Sequence, residues 1–150
     1  MANEGGQSPG RRIAAVRTSP IHGSGLFALR DIAPGRHIGV YEGRRYDPDA
    51  DREWDHGLTY VFGLSDGTVI DGSEGGNDSR HLNHSCEPNC AAYEIEREDG
   101  SLAIVIETVR SVRRGEELFL DYALDVGQAD ESDFPCCCGA STCRGTMVAV

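Results

Sequence analysis

Short apolar runs, each broken by Gly, Pro or acidic turns, recur along most of the chain. "RIAAVRT" (12–18) and "GLFALRD" (25–31) read as strands, "APG" (33–35) as a turn, and "HIGVYEG" (37–43) as the next strand. "LTYVFGL" (58–64) and "TVIDG" (68–72) flank "SDG" and predict a hairpin. "AAYEIER" (91–97) and "LAIVIETV" (102–109) flank "EDG" and predict a second one. "VRRGEELFLDYALD" (112–125) gives a turn and a final strand. Only 47–56 invites a helix, with Pro48 near its start. Strands do not alternate with long helices, and there is no internal repeat. The fold class is therefore mostly β, built from several small sheets.

The segments between the strands set the boundaries. Residues 1–11 are Gly-rich, polar and unpatterned, and are expected to be a disordered tail. Residues 12–125 make one domain, 126–135 ("VGQADESDFP") an acidic linker, and 136–150 a cysteine-rich end. No run approaches the ~18 apolar residues of a membrane span, and "MANEGGQSPGRR" lacks the apolar segment of a secretory signal. A cytoplasmic location is expected, with action in a nucleus left open. Thiols stay reduced there, so six Cys point to metal or catalysis before disulfides.

The net charge of −11 argues against direct nucleic-acid binding and for a basic protein or peptide as partner. All 14 basic residues are Arg; the chain contains no Lys. Lys is normally among the commoner residues, and an Arg-favouring genome accounts for its absence.

"CCCGASTC" (136–143) carries the clearest chemistry. Cys136, Cys138 and Cys143 form C-x-C-x4-C, and three thiolates so close in sequence can converge on one Zn²⁺, with Gly139 easing the turn. If these point inward, Cys137 points away. A structural zinc site wants a fourth ligand, and "RHLNHSCEPNC" (80–90) offers Cys86 or Cys90. A zinc-held thiolate is neutralised, which weakens the reading of Cys86 as a nucleophile. Four Cys ligands would close the metal and so exclude a zinc hydrolase. "DPDADREWDHGL" (47–58) imitates the start of a calcium loop, but Arg52 and Leu58 stand where Gly and Glu are needed. "HGSGLF" (22–27) is weak evidence alone, lacking the third Gly and helix of a dinucleotide fold.

Taken in order, these pieces resemble the SET-domain family of protein lysine methyltransferases with a post-SET zinc tail. The resemblance rests on "GSG" (23–25), "YEG" (41–43), "YVFGL" (60–64), "IDGSEGGNDSRHLNHSCEPN" (70–89), "GEELFLDY" (115–122) and "CCCGASTCRG" (136–145), and covers about 12–147. It implies S-adenosylmethionine as methyl donor. It also implies a β fold in which 83–89 and 117–122 interlace as a pseudoknot. By the same resemblance, Gly23, Ser24, Gly25, Tyr60, Arg80, Asn83, His84 and Tyr122 lie against the cofactor, with Met147 or Val148 over its adenine. Tyr122 and Tyr41 become the catalytic hydroxyls of a lysine channel. Cys86 becomes the fourth zinc ligand beside Cys136, Cys138 and Cys143, leaving Cys90 and Cys137 as spare thiols. The implied substrate is a Lys-rich basic protein: a histone, a histone-like protein or a ribosomal protein. Without Lys the enzyme cannot modify its own lysine side chains. The oligomeric state is left open.

Some positions depart from the family. His81 stands where Phe or Tyr is usual. Leu120 and Ala92 stand where members carry an aromatic that limits methylation, which predicts a roomier channel. The segment between "YEG" and "YVF" is short, and no cysteine cluster precedes the domain. A competing reading is a catalytically weak, zinc-stabilised module that binds basic peptides.

Overall fold

The computed structural model describes residues 12–20, 23–47, 61–122, 136, 138 and 140–147. The expected tail (1–11), the acidic linker (126–135), Tyr60, Cys137 and Val148 lie outside these residues, as does the helix of 47–56 except for Asp47. The described chain holds β1 (Ala14–Thr18), β2 (Ser24–Ala28), β3 (His37–Val40), β4 (Arg44–Tyr46), β5 (Val61–Gly63) and β6 (Val69–Asp71). A 3₁₀ turn (Asp78–His81) follows, then β7 (Asn83–His84), β8 (Cys90–Glu96), β9 (Leu102–Thr108) and β10 (Glu117–Leu120). They form three sheets, in the orders β1-β2-β10-β7, β3-β9-β8 and β4-β6-β5. No helix among the described residues is long and apolar enough to cross a membrane.

Both expected hairpins are present. β5 and β6 pair from Val61↔Asp71 to Gly63↔Val69, and Gly67 (φ 90°) makes the turn that a side chain would strain. β8 and β9 pair from Cys90↔Thr108 to Glu96↔Leu102. Asp99 Oδ1 accepts from Ser101 N–H and Oγ–H in their turn. Ile104 and Ile106 of β9 enter the core with Leu26, Ile32, Ile70, Val112, Leu118 and Leu120. Burying each such side chain contributes about 1.5–3 kcal/mol.

The sequence pattern missed β4, β7 and the 3₁₀ turn. Arg44–Tyr46 has no apolar alternation of its own; it is a strand because β6 offers it a free edge, Arg44↔Asp71 to Tyr46↔Val69. β7 is only two residues long and runs parallel to β10, pairing Asn83 with Phe119 and His84 with Leu120. β10 is thus clasped on both sides, because β2 pairs antiparallel with it at Phe27↔Glu117 and Leu26↔Leu118. Ser85 N–H donates to Leu120 O at 2.9 Å. Asn89, fully buried, donates through Nδ2 to Glu117 O (2.9 Å) and accepts from Phe119 N–H (2.8 Å). The 83–89 segment therefore wraps the 117–122 segment, as expected. The side chain of Asn89 bonds two backbone groups of β10 as a neighbouring strand would.

Candidate functional site

The "GSG" loop, Asn83 and the start of β10 meet around one buried carboxylate. Glu117 Oε1 accepts from Ser19 Oγ–H (2.8 Å), and Oε2 accepts from Asn83 Nδ2–H (2.7 Å). Asn83 Nδ2 also donates to Ser24 O at 2.9 Å. A Cβ on Gly25 would land on Glu117 Oε2, so only glycine lets the loop come this close. Gly23 turns the loop at φ 46°, and Ser19 N–H donates to its carbonyl at 2.8 Å. Gly23, Ser24, Asn83 and His84 are thus brought together. Arg80 lies nearby on the 3₁₀ turn, its Nε 3.3 Å from His81 Nε2.

Tyr41 belongs to the buried core and Tyr122 packs against it. Tyr41 is buried against Phe62 (ring centroids 4.5 Å apart), and its hydroxyl occupies the space above Gly72. Tyr122 is half-buried and donates its hydroxyl to Leu82 O at 2.6 Å. A hydroxyl that donates in this way still has acceptor capacity for an amine proton. Tyr122 N–H donates to His84 Nδ1 at 2.9 Å, and the two rings meet edge to face at 5.3 Å. Burial pushes His84 below the usual histidine range; Asp121 pulls the other way, and Arg144 adds a smaller push downward. With Nδ1 accepting, the proton of the neutral ring sits on Nε2, which lies 3.5 Å from Cys86 Sγ.

Cys86, Cys136, Cys138 and Cys143 converge, their sulfurs all within 4.8 Å of one another. Zn–S bonds of about 2.3 Å in a tetrahedron place sulfurs about 3.8 Å apart. Cys86 and Cys136 stand at 3.8 Å, too far for a disulfide and right for a shared zinc ion. Backbone N–H groups face the sulfurs: Arg144 N–H donates to Cys86 at 3.2 Å and Gly145 N–H to Cys143 at 3.4 Å. Burial raises Cys138, but backbone hydrogen bonds at Cys86 and Ala140, with the neighbouring thiols, bring it down to about 6. Burial pushes Cys136 upward instead. Four sulfurs packed this closely, one of them held toward the thiolate, suit a divalent cation that all four can share. These residues fit structural zinc. Cys90, the other candidate, is buried in β8, where burial pushes its thiol up to about 12 against a small pull from Arg110. It is a core thiol.

Sequence reasoning missed three side chains that build the site: Glu117, Asn89 and Arg144. Arg144 Nη1 and Nη2 each donate to Asp121 at 3.1 Å, tying the zinc segment to the residue before Tyr122. Thr142 Oγ–H donates to Glu87 at 2.9 Å, a second tie. The signal for Glu117 was present in "ELFL", where an acid shares a strand with buried Leu118 and Leu120. Of the family departures, His81 is half-buried, Leu120 is buried in the core, and Ala92 lies partly buried against it.

Residues 23–123 match the family model of the SET domain. The chain is 40% identical over 136 residues to a histone-lysine N-methyltransferase, H3 lysine-4 specific, from Saccharomyces cerevisiae, covering 86% of this chain and 12% of that protein. It is 39% identical over 140 residues to histone-lysine N-methyltransferase 2B of Homo sapiens, covering 89% of this chain and 5% of that protein. The chain therefore spans a small fraction of the length of these relatives. Among solved structures it resembles KRYPTONITE in complex with mCHH DNA, H3(1-15) peptide and SAH. That match has a TM-score of 0.72 and 24% identity, and covers 88% of this chain and 29% of that one. The β fold expected from the motifs is thereby borne out.

Proposed function

The chain belongs to the SET-domain family, and from that premise we propose that it is an S-adenosylmethionine-dependent protein lysine N-methyltransferase acting on a basic, Lys-rich protein. The observation that carries this reading is the setting of Tyr122. Its hydroxyl is anchored on Leu82 O and its backbone on His84, at the end of the strand clasped beside the "GSG" loop. The relatives' names support a histone or histone-like substrate, as does the net charge of −11. The work would fall in the cytoplasm or the nucleus. The catalytic body is 12–125 and the zinc segment 136–150.

S-adenosylmethionine supplies a methyl group on a positively charged sulfur. The residues of this chain have three tasks. Gly23, Ser24, Gly25, Tyr60, Arg80, Asn83 and His84 bind the cofactor. The Asn83 side chain, turned to Ser24 O and Glu117, serves by holding the loop. Tyr41 and Tyr122 orient the lysine amine and accept its hydrogen bonds. A free lysine has a pKa near 10.4, so only about one in a thousand is neutral at pH ~7.4. A poorly solvated channel beside a positive charge lowers that pKa, so no strong base is needed. Cys86, Cys136, Cys138 and Cys143 hold zinc and close 136–147 over the site. With Leu120 and Ala92 in place of channel aromatics, the enzyme is expected to add more than one methyl group; a product spectrum showing monomethyl-lysine alone would sink that reading.

The deciding experiment uses purified chain, radiolabelled S-adenosylmethionine and core histones. Controls are Tyr122→Phe and a zinc-chelated sample. Label in a histone band that both controls lose supports the proposal. Cofactor binding without transfer to any Lys-rich protein would favour a module that binds basic peptides.

A further inference from the structure

The zinc segment and the end of β10 close a ring of contacts around Tyr122. Arg144 N–H donates to Cys86 Sγ at 3.2 Å. The Arg144 guanidinium grips Asp121, Nη1 on Oδ2 and Nη2 on Oδ1, both at 3.1 Å. Asp121 precedes Tyr122, whose N–H donates to His84 Nδ1 at 2.9 Å. His84 Nε2 then lies 3.5 Å from Cys86 Sγ, where the ring began. We propose that Arg144 is a positioning residue for Tyr122, carrying the order of the zinc segment to the strand end that bears the hydroxyl.

An exposed ion pair held at one point contributes little to a fold. This pair differs in two ways. It is forked, so it fixes the plane of the carboxylate as well as its distance. It is also partly withdrawn from water, with the Arg144 side chain 22% and the Asp121 side chain 36% exposed. His84 Nδ1 lies 3.7 Å from Asp121 Oδ1, but it already accepts from Tyr122 N–H and has no proton there to give. Arg144 answers the charge of Asp121 at both carboxylate oxygens. Without that grip, the backbone at 121–122 keeps its tie to His84 but loses the forked bond to the zinc segment.

The test reads the Tyr122 amide directly. Hydrogen exchange is followed in the zinc-loaded full chain for wild type, Arg144→Gln, Arg144→Lys and Asp121→Asn, with zinc per chain measured in each. Exchange at Tyr122 is expected to quicken at least tenfold in all three variants, about 1.4 kcal/mol by the usual conversion, while Ile106 in β9 is unchanged. Lys should not rescue, because it cannot form the fork. The double variant Asp121→Asn/Arg144→Gln should go no further than either single one. If Arg144→Gln loses zinc, Asp121→Asn carries the test alone, since no Asp121 contact to a zinc-ligand sulfur is required. Unchanged exchange at Tyr122 in zinc-loaded Asp121→Asn would overturn the proposal. The kinetic consequence, a tenfold fall in kcat with the peptide KM little moved, rests on the functional reading above. A wild-type chain that methylates no protein would defeat that reading and leave the exchange result standing.

Discussion

The sheets and the zinc segment are held together by opposite means. Ile70, Ile106, Leu118 and Val112 are almost wholly buried, and the sheets close around them. In the zinc segment none of the described residues is buried; each is half-buried or exposed. It is held by four converging sulfurs, by backbone hydrogen bonds such as Cys136 N–H to Gly145 O, and by the Arg144–Asp121 fork and the Thr142–Glu87 hydrogen bond. Apolar burial needs no cofactor and resists many small changes, whereas a segment organised by a metal depends on one event. The sheets should therefore fold without zinc, and the segment should not.

Removing the metal tests this most severely. Structural zinc in small peptides binds with about 10–16 kcal/mol, which sets the scale of what the segment stands to lose. Chelation should abolish exchange protection at the amides of Arg144 and Gly145 while a cooperative melt of the sheets persists. Simultaneous loss of both would erase the distinction. Leu118→Ala strikes the other side. It should cost about 2–5 kcal/mol in a denaturant melt and leave one zinc per folded chain. Glu117→Gln acts within the sheets and should cost about 1.5–3 kcal/mol, since the carboxylate serves Ser19 and Asn83 together. Cofactor affinity, read by calorimetry, should fall with it if the "GSG" loop is freed.

The smallest effect expected is at His81. Burial first, then Arg80, hold it below its usual 6.5, against a pull from Asp78. The unfolded chain takes up the proton first, so the stability this group contributes is present above about pH 6.5 and lost as pH falls below it. His81→Phe should flatten that part of a pH–melting curve. A curve identical to wild type would show that the ring is free of its neighbours.

The two hairpins were legible because their alternation, turns and partners lie within a short stretch. β4 and β7 were not, because neither carries its reason in its own residues. Arg44–Tyr46 is a strand only beside β6, and Asn83–His84 only beside β10. The zinc site divides in the same way. Cys136, Cys138 and Cys143 announce themselves by spacing, while Cys86 and Cys90 were equal on spacing and only the family pattern chose between them. The fold separates them by putting Cys90 into the core and Cys86 among the other sulfurs. The burial of Asn89 and its two bonds to β10 exist only once the 117–122 segment is in place.

The clasp on β10 also governs when the molecule can come into being. Ser19 and the carboxylate that steadies it stand 98 positions apart, and Asn83 meets Ser24 across 59. A chain emerging from the ribosome at roughly 5–20 residues per second exposes its first two strands well before their partner strand exists. Pairings so distant in sequence are slow to form. The hairpins can close early, but the "GSG" loop must wait for the last of the described strands. Until then nascent chains carry an open sheet edge, and a chain truncated before residue 117 should be found with chaperones or in aggregates, never as a smaller working version of the protein.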